Sequence, residues 1–318
     1  MDKINILLST DNNYVMPTGV LMHSIGMHNE PVNYFILVNE KFSDVSKEQL
    51  TKIANLYHCE ILFYVINDEV TKDLPFGRDN MPKHVSIATY YRLFITKIIP
   101  SDVHKILYLD GDMIVRKSLK TFFDIDLEGY AVGAVHDMDE PANVKRLKGF
   151  VDANYFNAGM LLVNIDYWRT HHCYELFIKF VHQHGDVILM HDQDVLNCVL
   201  ENHVKWVPLT FNFQNGFVLS AQNRRYDSRL QSEINSCKKD PAIIHYTVHH
   251  KPWHISCFHP YKQLWRNYLA KTEWAGYHFD EDKPQKLIHY VRNFLFRHCL
   301  WVPKYNRTEY EELPKLKF

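Results

Sequence analysis

Six short runs of apolar, β-branched and aromatic residues, at positions 4–9, 34–38, 61–65, 106–109, 131–136 and 160–164, alternate with longer stretches of helical period. Runs of that length and chemistry predict strands buried on both faces. The stretches between them, 15–28, 46–57, 86–97, 167–184 and 192–201, predict helices. Ser46 followed by Gln49 predicts a capping box at the start of the second helix. This alternation implies an α/β fold, with a mixed, mostly parallel sheet flanked by helices. Ligands of such sheets sit beyond the carboxyl ends of the strands, so chemistry-bearing residues are expected just after the apolar runs.

The 318 residues carry 36 Lys and Arg against 37 Asp and Glu. That balance gives the chain no overall attraction for a phosphate backbone and argues against nucleic acid as a partner. With 46% hydrophobic and 23% charged residues the chain can bury a core, which excludes disorder. The first residues lack a signal-peptide pattern and no apolar run is long enough to span a membrane. Six scattered cysteines (Cys59, Cys173, Cys198, Cys237, Cys257, Cys299) show no C-x-x-C spacing, which implies a reduced, cytoplasmic protein.

The segment 105–115, KILYLDGDMIV, ends a buried strand in two carboxylates separated by a glycine. Asp110 and Asp112 repel at one strand end unless a cation lies between them, and their oxygens suit Mg²⁺ or Mn²⁺, which keep positions open for phosphates. Gly111, with no Cβ, would let a ligand approach the backbone. Four other Asp pairs share the spacing, at 124/126, 137/139, 192/194 and 280/282. Only the first directly follows a clear strand, and 124/126 and 280/282 read as solvated turns or caps.

Four further segments carry two readings each. Asp11, Asn13 and Tyr14 suit a base and ribose, or form an ordinary turn in which Asp11 or Asn12 caps the next helix. Asn157, Ala158 and Gly159 open space for a hydroxyl-rich ligand, or mark a bulge. Asp192, Gln193 and Asp194 read a substrate from a helix start, or Asp192 caps that helix. His245 ends an apolar run as a possible metal ligand and Lys251 as a phosphate partner, while His249, His250 and His254 permit zinc but lack a cysteine at ligand spacing. No G-x-G-x-x-G or G-x-x-x-x-G-K-[ST] is present, so nucleotide phosphates would be held by a metal and basic side chains.

Taken in order, Asp11-x-Asn13-Tyr14, His84-x-Ser86-x-x-Thr89-Tyr90-x-Arg92-Leu93, Leu109-Asp110-Gly111-Asp112, Phe156-Asn157-Ala158-Gly159, Asp192-Gln193-Asp194-x-Leu196-Asn197 and His245-Tyr246 with Lys251-Pro252-Trp253 resemble glycosyltransferase family 8. The resemblance runs from about residue 4 to 265 and is strongest to the bacterial lipopolysaccharide galactosyl- and glucosyltransferases. It implies a GT-A fold and retaining transfer of galactose or glucose from a UDP-sugar to a saccharide or lipid-linked glycan acceptor. By position, Asp110, Asp112 and His245 would bind Mn²⁺ or Mg²⁺. Asp11, Asn13 and Tyr14 would hold uridine and ribose, Arg92 and Asn157 the sugar region, and Gly111 and Ala158 would be further nucleotide-sugar-binding residues. Lys251 would meet the diphosphate. Asp192 and Gln193 would face the transferred sugar, with Gln193 and Asp194 stabilising an oxocarbenium-like centre and Asp137 on the acceptor side. Val248 stands where the family usually has glycine. A haloacid-dehalogenase-like phosphatase using Asp110 as nucleophile, and a UDP-sugar-binding protein without turnover, are the competing readings.

Residues 251–318 hold 12 of the Lys and Arg, 7 of the Asp and Glu, and 15 of the 44 aromatics. Positions 283–308 contain six basic residues and no acid, with Leu287, Ile288, Val291, Phe294 and Leu295 at helical spacing. Such a helix lies on an anionic membrane surface, or packs on the catalytic domain with its charges in water. The expected organisation is a catalytic domain over 1–265 and a basic, aromatic extension over 266–318, peripheral on the inner face of the cell membrane.

Overall fold

A computed structural model describes residues 3–67, 74, 87–218, 226, 228–247, 251–254, 257, 259–279 and 291. Seven strands form the main sheet: β1 (Asn5–Ser9), β2 (Asn33–Asn39), β3 (Glu60–Ile66), β4 (Lys105–Leu109), β6 (Val132–His136), β7 (Phe156–Asn164) and β8 (Val204–Trp206). Their order is β3-β2-β1-β4-β7-β6-β8, parallel throughout except for β7, which runs against both β4 and β6. A smaller sheet, β5 (Met113–Val115), β10 (Ile243–His245) and β9 (Phe213–Gln214), takes the order β5-β10-β9. All six strands expected from the sequence are present, within a few residues of the predicted limits.

The continuous apolar runs follow from burial on both faces. Ile6, Leu8, Ile36, Leu107, Leu109 and Leu162 belong to one hydrophobic cluster, with Val20, Leu21 and Ile25 of the Val15–His28 helix. Leu7, Phe35, Ile106, Tyr108, Leu161 and Val163 belong to the other, with Trp168 and Phe177. The central strands therefore supply alternate side chains to two cores, whereas β3, at the edge of the sheet, is not buried on both faces and leaves Leu62 and Val65 exposed.

Three local expectations need correction. Ser43, not Ser46, caps the Asp44–Leu56 helix, and its Oγ accepts from Ser46 N–H at 3.1 Å. The segment expected as a helix over 86–97 is a 3₁₀ helix, Ile87–Phe94, running into a single α-turn, Ile95–Ile98. The helix expected over 167–184 is two, Ile165–Thr170 and Cys173–His184, broken where His172 adopts φ 52°. The five described cysteines are free thiols. Among the described residues no helix is long and apolar enough to cross a membrane.

Residue 265 falls inside the Lys262–Leu269 helix, and packing on the core continues past it through Trp274, Tyr277 and Phe279. His259, just before this helix, is buried, with Nδ1 accepting from Tyr261 N–H at 3.1 Å and Nε2 without a partner. Burial, with Lys262 nearby, pushes its pKa down to about 3. The unfolded chain binds this proton below about 6.5 and the folded one does not, so stability falls as pH drops from 6.5 toward 3. Urea unfolding at pH 6.5 and 5 will show a loss of about 2 kcal/mol from this group alone. His259→Leu will show a correspondingly flatter pH dependence; an unchanged dependence would refute the assignment.

Candidate functional site

The site forms where β4 ends and β5 begins. Asp110 N–H donates to Gly159 O at 2.8 Å, tying the end of β4 to β7. In the small sheet His245 is paired with Met113, and Tyr246 N–H donates to Asp112 O at 3.0 Å. This register brings His245, more than 130 positions along the chain, beside the two aspartates. One donor atom from each of Asp110, Asp112 and His245 lies within 4.8 Å of the others. His245 Nε2 is 3.2 Å from Asp112 Oδ1 and 4.0 Å from Asp110 Oδ2.

Two carboxylates and an imidazole form a donor set suited to Mn²⁺ or Mg²⁺ with positions left for phosphate. Two observations support the fit. Asp112 Oδ1 is buried and has no hydrogen-bond partner. A Cβ on Gly159 would come within 2.3 Å of His245 Cε1 and 2.8 Å of Asp110 Oδ2, so the glycine keeps the cradle open. Lys251 Nζ lies 2.5 Å from Asp112 Oδ2 and also donates to Tyr246 O. Burial alone would raise the Asp112 pKa, but Lys251 and His245 override it and hold the carboxyl well below the usual range.

A polar relay behind the cluster orients the imidazole. Asp137 Oδ2 accepts from Asn157 Nδ2 at 3.0 Å, and Asn157 Oδ1 accepts from Asn212 Nδ2 at 2.9 Å and Gly159 N–H at 3.1 Å. This fixes both amides, so Asn212 Oδ1 faces His245 Nδ1 at 2.9 Å and Nε2 faces the aspartates. Outer partners of this kind set the tautomer of a ligating histidine. Asp137 is itself buried, and burial raises its carboxyl pKa against the hydrogen bonds from Asn157 and Gln193.

Arg92 supplies the other side. Its Nη2 pairs with Asp110 Oδ1 at 2.9 Å, its Nε with Asp192 Oδ2 at 2.8 Å, and its Nη1 donates to Ala158 O, while its guanidinium lies 4.2 Å from the centre of the Tyr108 ring. Tyr108 OH also donates to Asp110 Oδ1 at 2.8 Å. Burial pushes the Asp192 carboxyl up to about 7, outweighing the shared Arg92. Asp192 therefore serves as a partner of Arg92; the helix Asp192–Leu200 has no side-chain cap. Gln193 Oε1 accepts from Ala158 N–H at 2.9 Å and its Nε2 donates to Asp137 at 3.3 Å. Asp194, fully buried, engages Arg146, Tyr155 and the Leu189 and Met190 N–H groups, and makes none of the contacts of the aspartate–histidine cluster.

The structure thus brings Arg92, Asp110, Asp112, Asp137, Asn157, Ala158, Asp192, Gln193, His245 and Lys251 into one connected group. Asp11 Oδ1 accepts from Asn13 and Tyr14 N–H at 2.9 and 3.1 Å, closing the turn before the Val15–His28 helix, whose own N-cap, Tyr14, makes no side-chain cap. Burial, then Asp112 and Asp110, raise the Tyr14 pKa well above its ordinary value. Gly111 is required by the protein itself, because a Cβ there would meet Thr18 Oγ1 at 2.9 Å and the Tyr14 ring at 3.2 Å. Asp124 pairs with Lys120 and Asp126 holds Glu128 N–H, confirming the turn reading of that pair. Val248, His249, His250 and positions 283–308, apart from Val291, lie outside the described residues. Asn212, Tyr108 and Arg146 are additions that no sequence motif announced.

The glycosyl transferase family 8 profile matches residues 5–257. The chain is 30% identical over 275 residues to glycosyltransferase GlyF of Streptococcus pneumoniae, covering 85% of this chain and 62% of GlyF. It is 27% identical over 282 residues to the lipopolysaccharide 1,3-galactosyltransferase of Salmonella typhimurium, covering 86% of this chain and 80% of that enzyme. Among solved structures, galactosyltransferase LgtC in complex with donor and acceptor sugar analogs superimposes with a TM-score of 0.75 at 27% identity, covering 86% of this chain and 99% of LgtC. The sheet order, the cluster at the ends of β4 and β10 and these matches agree on the GT-A fold, and the chain belongs to glycosyl transferase family 8.

Proposed function

We propose that this chain is a metal-dependent retaining hexosyltransferase that moves galactose or glucose from a UDP-sugar to a saccharide or lipid-linked glycan acceptor in lipopolysaccharide or other surface-glycan synthesis. The observation that carries the reading is the Asp110–Asp112–His245 cluster with Lys251 beside it, in a chain of this family. The three residues would hold Mn²⁺ or Mg²⁺, which when bound supplies positive charge to the departing diphosphate. Lys251 adds a second positive charge for the leaving oxygen. Asp11, Asn13 and Tyr14 take uridine and ribose; Arg92 and Asn157 border the sugar, with Gly111 and Ala158 as further nucleotide-sugar-binding residues.

Gln193 presents an amide held at both ends by Ala158 and Asp137, and with Asp192 it faces the transferred hexose. A fixed amide is a poor nucleophile and a good dipole for an oxocarbenium-like centre, which favours same-face attack by the acceptor. Asp194, paired with Arg146, supports that centre only through the turn that carries Gln193, and Asp137 is assigned to the acceptor side. The catalytic domain takes in the whole Lys262–Leu269 helix and the core-packed residues through Phe279, so the extension begins after them rather than at 266, with 283–308 resting on an anionic membrane at the inner face of the cell.

UDP release from a panel of UDP-sugars, with Mn²⁺ or with EDTA, tests the reading in the wild type and Asp112→Ala. One UDP-hexose will be hydrolysed slowly in Mn²⁺, and both EDTA and the substitution will abolish it. Hydrolysis of a phosphomonoester without any response to sugar nucleotides would overturn the proposal. Metal-dependent UDP binding without turnover of any donor, with or without an acceptor mixture, would reduce it to a binding protein.

A further inference from the structure

Asp194 is enclosed by five donors. Its Oδ1 accepts from Arg146 Nη2 and Tyr155 OH, both at 2.6 Å; its Oδ2 accepts from Arg146 Nη1 at 3.0 Å and from Leu189 and Met190 N–H at 2.8 Å each. Arg146 reaches further. It donates to Val187 O at 3.0 Å and to Asn143 Oδ1 at 3.1 Å, and Asn143 in turn lies 3.5 Å from Asp137 Oδ1. One guanidinium therefore binds both the backbone entering the turn 187–194 and the carboxylate that closes it.

That turn stores strain. His191 has φ 54° and ψ −132°, a conformation that non-glycine residues rarely adopt, and it persists only where the surroundings over-determine it. Asp194 gripping the Leu189 and Met190 N–H groups, together with Met190 O accepting from Gln193 N–H at 3.2 Å, is what holds it. Asp192 and Gln193 follow His191 directly, and both face the donor side of the site through Arg92 and Ala158.

We infer that Arg146 is a positioning residue: it commits Asp194 to bracing the 187–194 turn and so fixes Gln193 and Asp192 against the transferred hexose. The inference rests on the hexosyltransferase reading above. It also explains why Asp194, one bond along the chain from a substrate-facing residue, has no lone pair to spare for the sugar. Bidentate geometry plus two further acceptors requires the planar fork of arginine.

The test compares full-length wild type, Arg146→Ala and Arg146→Lys in UDP calorimetry with Mn²⁺, in donor turnover and in thermal unfolding. Arg146→Ala will bind UDP within about threefold of wild type and keep the donor KM, while kcat falls about 100-fold, the cost of misplacing a group by an ångström. Guanidinium ion at millimolar concentration will restore at least tenfold of that kcat. Arg146→Lys keeps the charge at Asp194 but loses the other acceptors, so it will fold with an intermediate kcat. Should Arg146→Ala prove unstable, the lysine variant alone decides. Wild-type kcat per UDP-binding protein in either variant, or no guanidinium response in a folded Arg146→Ala, overturns the inference. Absence of UDP binding by the wild type overturns the hexosyltransferase reading instead.

Discussion

Gly159→Ala lowers metal-dependent turnover about 100-fold and weakens UDP binding while leaving a folded protein. The added Cβ would lie 2.3 Å from His245 Cε1, 2.8 Å from Asp110 Oδ2 and 3.0 Å from Asn157 Oδ1. All three neighbours are themselves fixed. His245 is held by Asn212, Asp110 by Arg92 and Tyr108, and Asn157 by Asp137 and Asn212. Nor does the glycine backbone move freely, because its N–H donates to Asn157 and its O accepts from Asp110 N–H. The methyl group must therefore displace the imidazole or the carboxylate by about an ångström, which costs a site of this kind about 100-fold. Overpacking adds about 1–3 kcal/mol of instability, within the reach of a domain with this core. Calorimetry of UDP with Mn²⁺, alongside circular dichroism, separates the two effects. Wild-type UDP affinity in a folded variant would show that the three residues do not share a cation.

How much of this was legible beforehand depended on the range of the interaction concerned. Strands of five residues or more declare themselves locally as unbroken apolar runs: burial on both faces demands one in β1, β2, β4, β6 and β7, while β3, at the sheet edge, keeps its run with Leu62 and Val65 exposed. β5, β8, β9 and β10, of two or three residues, are too short to carry a period, and pairing alone makes them strands. Asp110 and Asp112 stood out because carboxylates at the end of a buried strand need a reason. Asn212 did not, since its role arises only when β9 and β10 come together and bring it against His245, 33 positions away. Arg146 is likewise an ordinary surface residue of the Glu140–Arg146 helix until the fold places Asp194, 48 positions on, beneath it. The Ser43 cap is hidden for a smaller reason: Ser46 with Gln49 matches the capping-box pattern and Ser43, followed three residues on by Ser46, does not, yet backbone geometry puts the cap at Ser43.

Arg92→Met strips the charge from a buried three-residue chain and costs about 3–5 kcal/mol of stability, because two carboxylates lose their common partner. The Arg92 side chain is 5% exposed and that of Asp192 is 3% exposed, so water replaces little of what that pair loses, whereas Asp110, 29% exposed, regains part of its hydration. Asp192 titrates at about 7 even with the guanidinium present, burial being the larger influence. Its folded pKa lies above the ordinary aspartate value near 3.9, so the folded state binds the extra proton and stability falls as pH rises from about 4 to 7. Removing Arg92 raises that pKa further and extends the falling limb to higher pH. Arg92→Lys recovers little, since one ammonium does not span Asp110, Asp192 and Ala158 O together. Urea unfolding of wild type, Arg92→Met, Asp192→Asn and the double variant between pH 5 and 9 measures the coupling directly. The double variant will be more stable than Arg92→Met above pH 7, because Asp192→Asn removes the proton uptake on folding that the single substitution makes more costly as pH rises. Additive losses at every pH would mean that Arg92 acts through packing on Tyr108 alone, and that the ion-pair chain from Asp110 to Asp192 carries no energy.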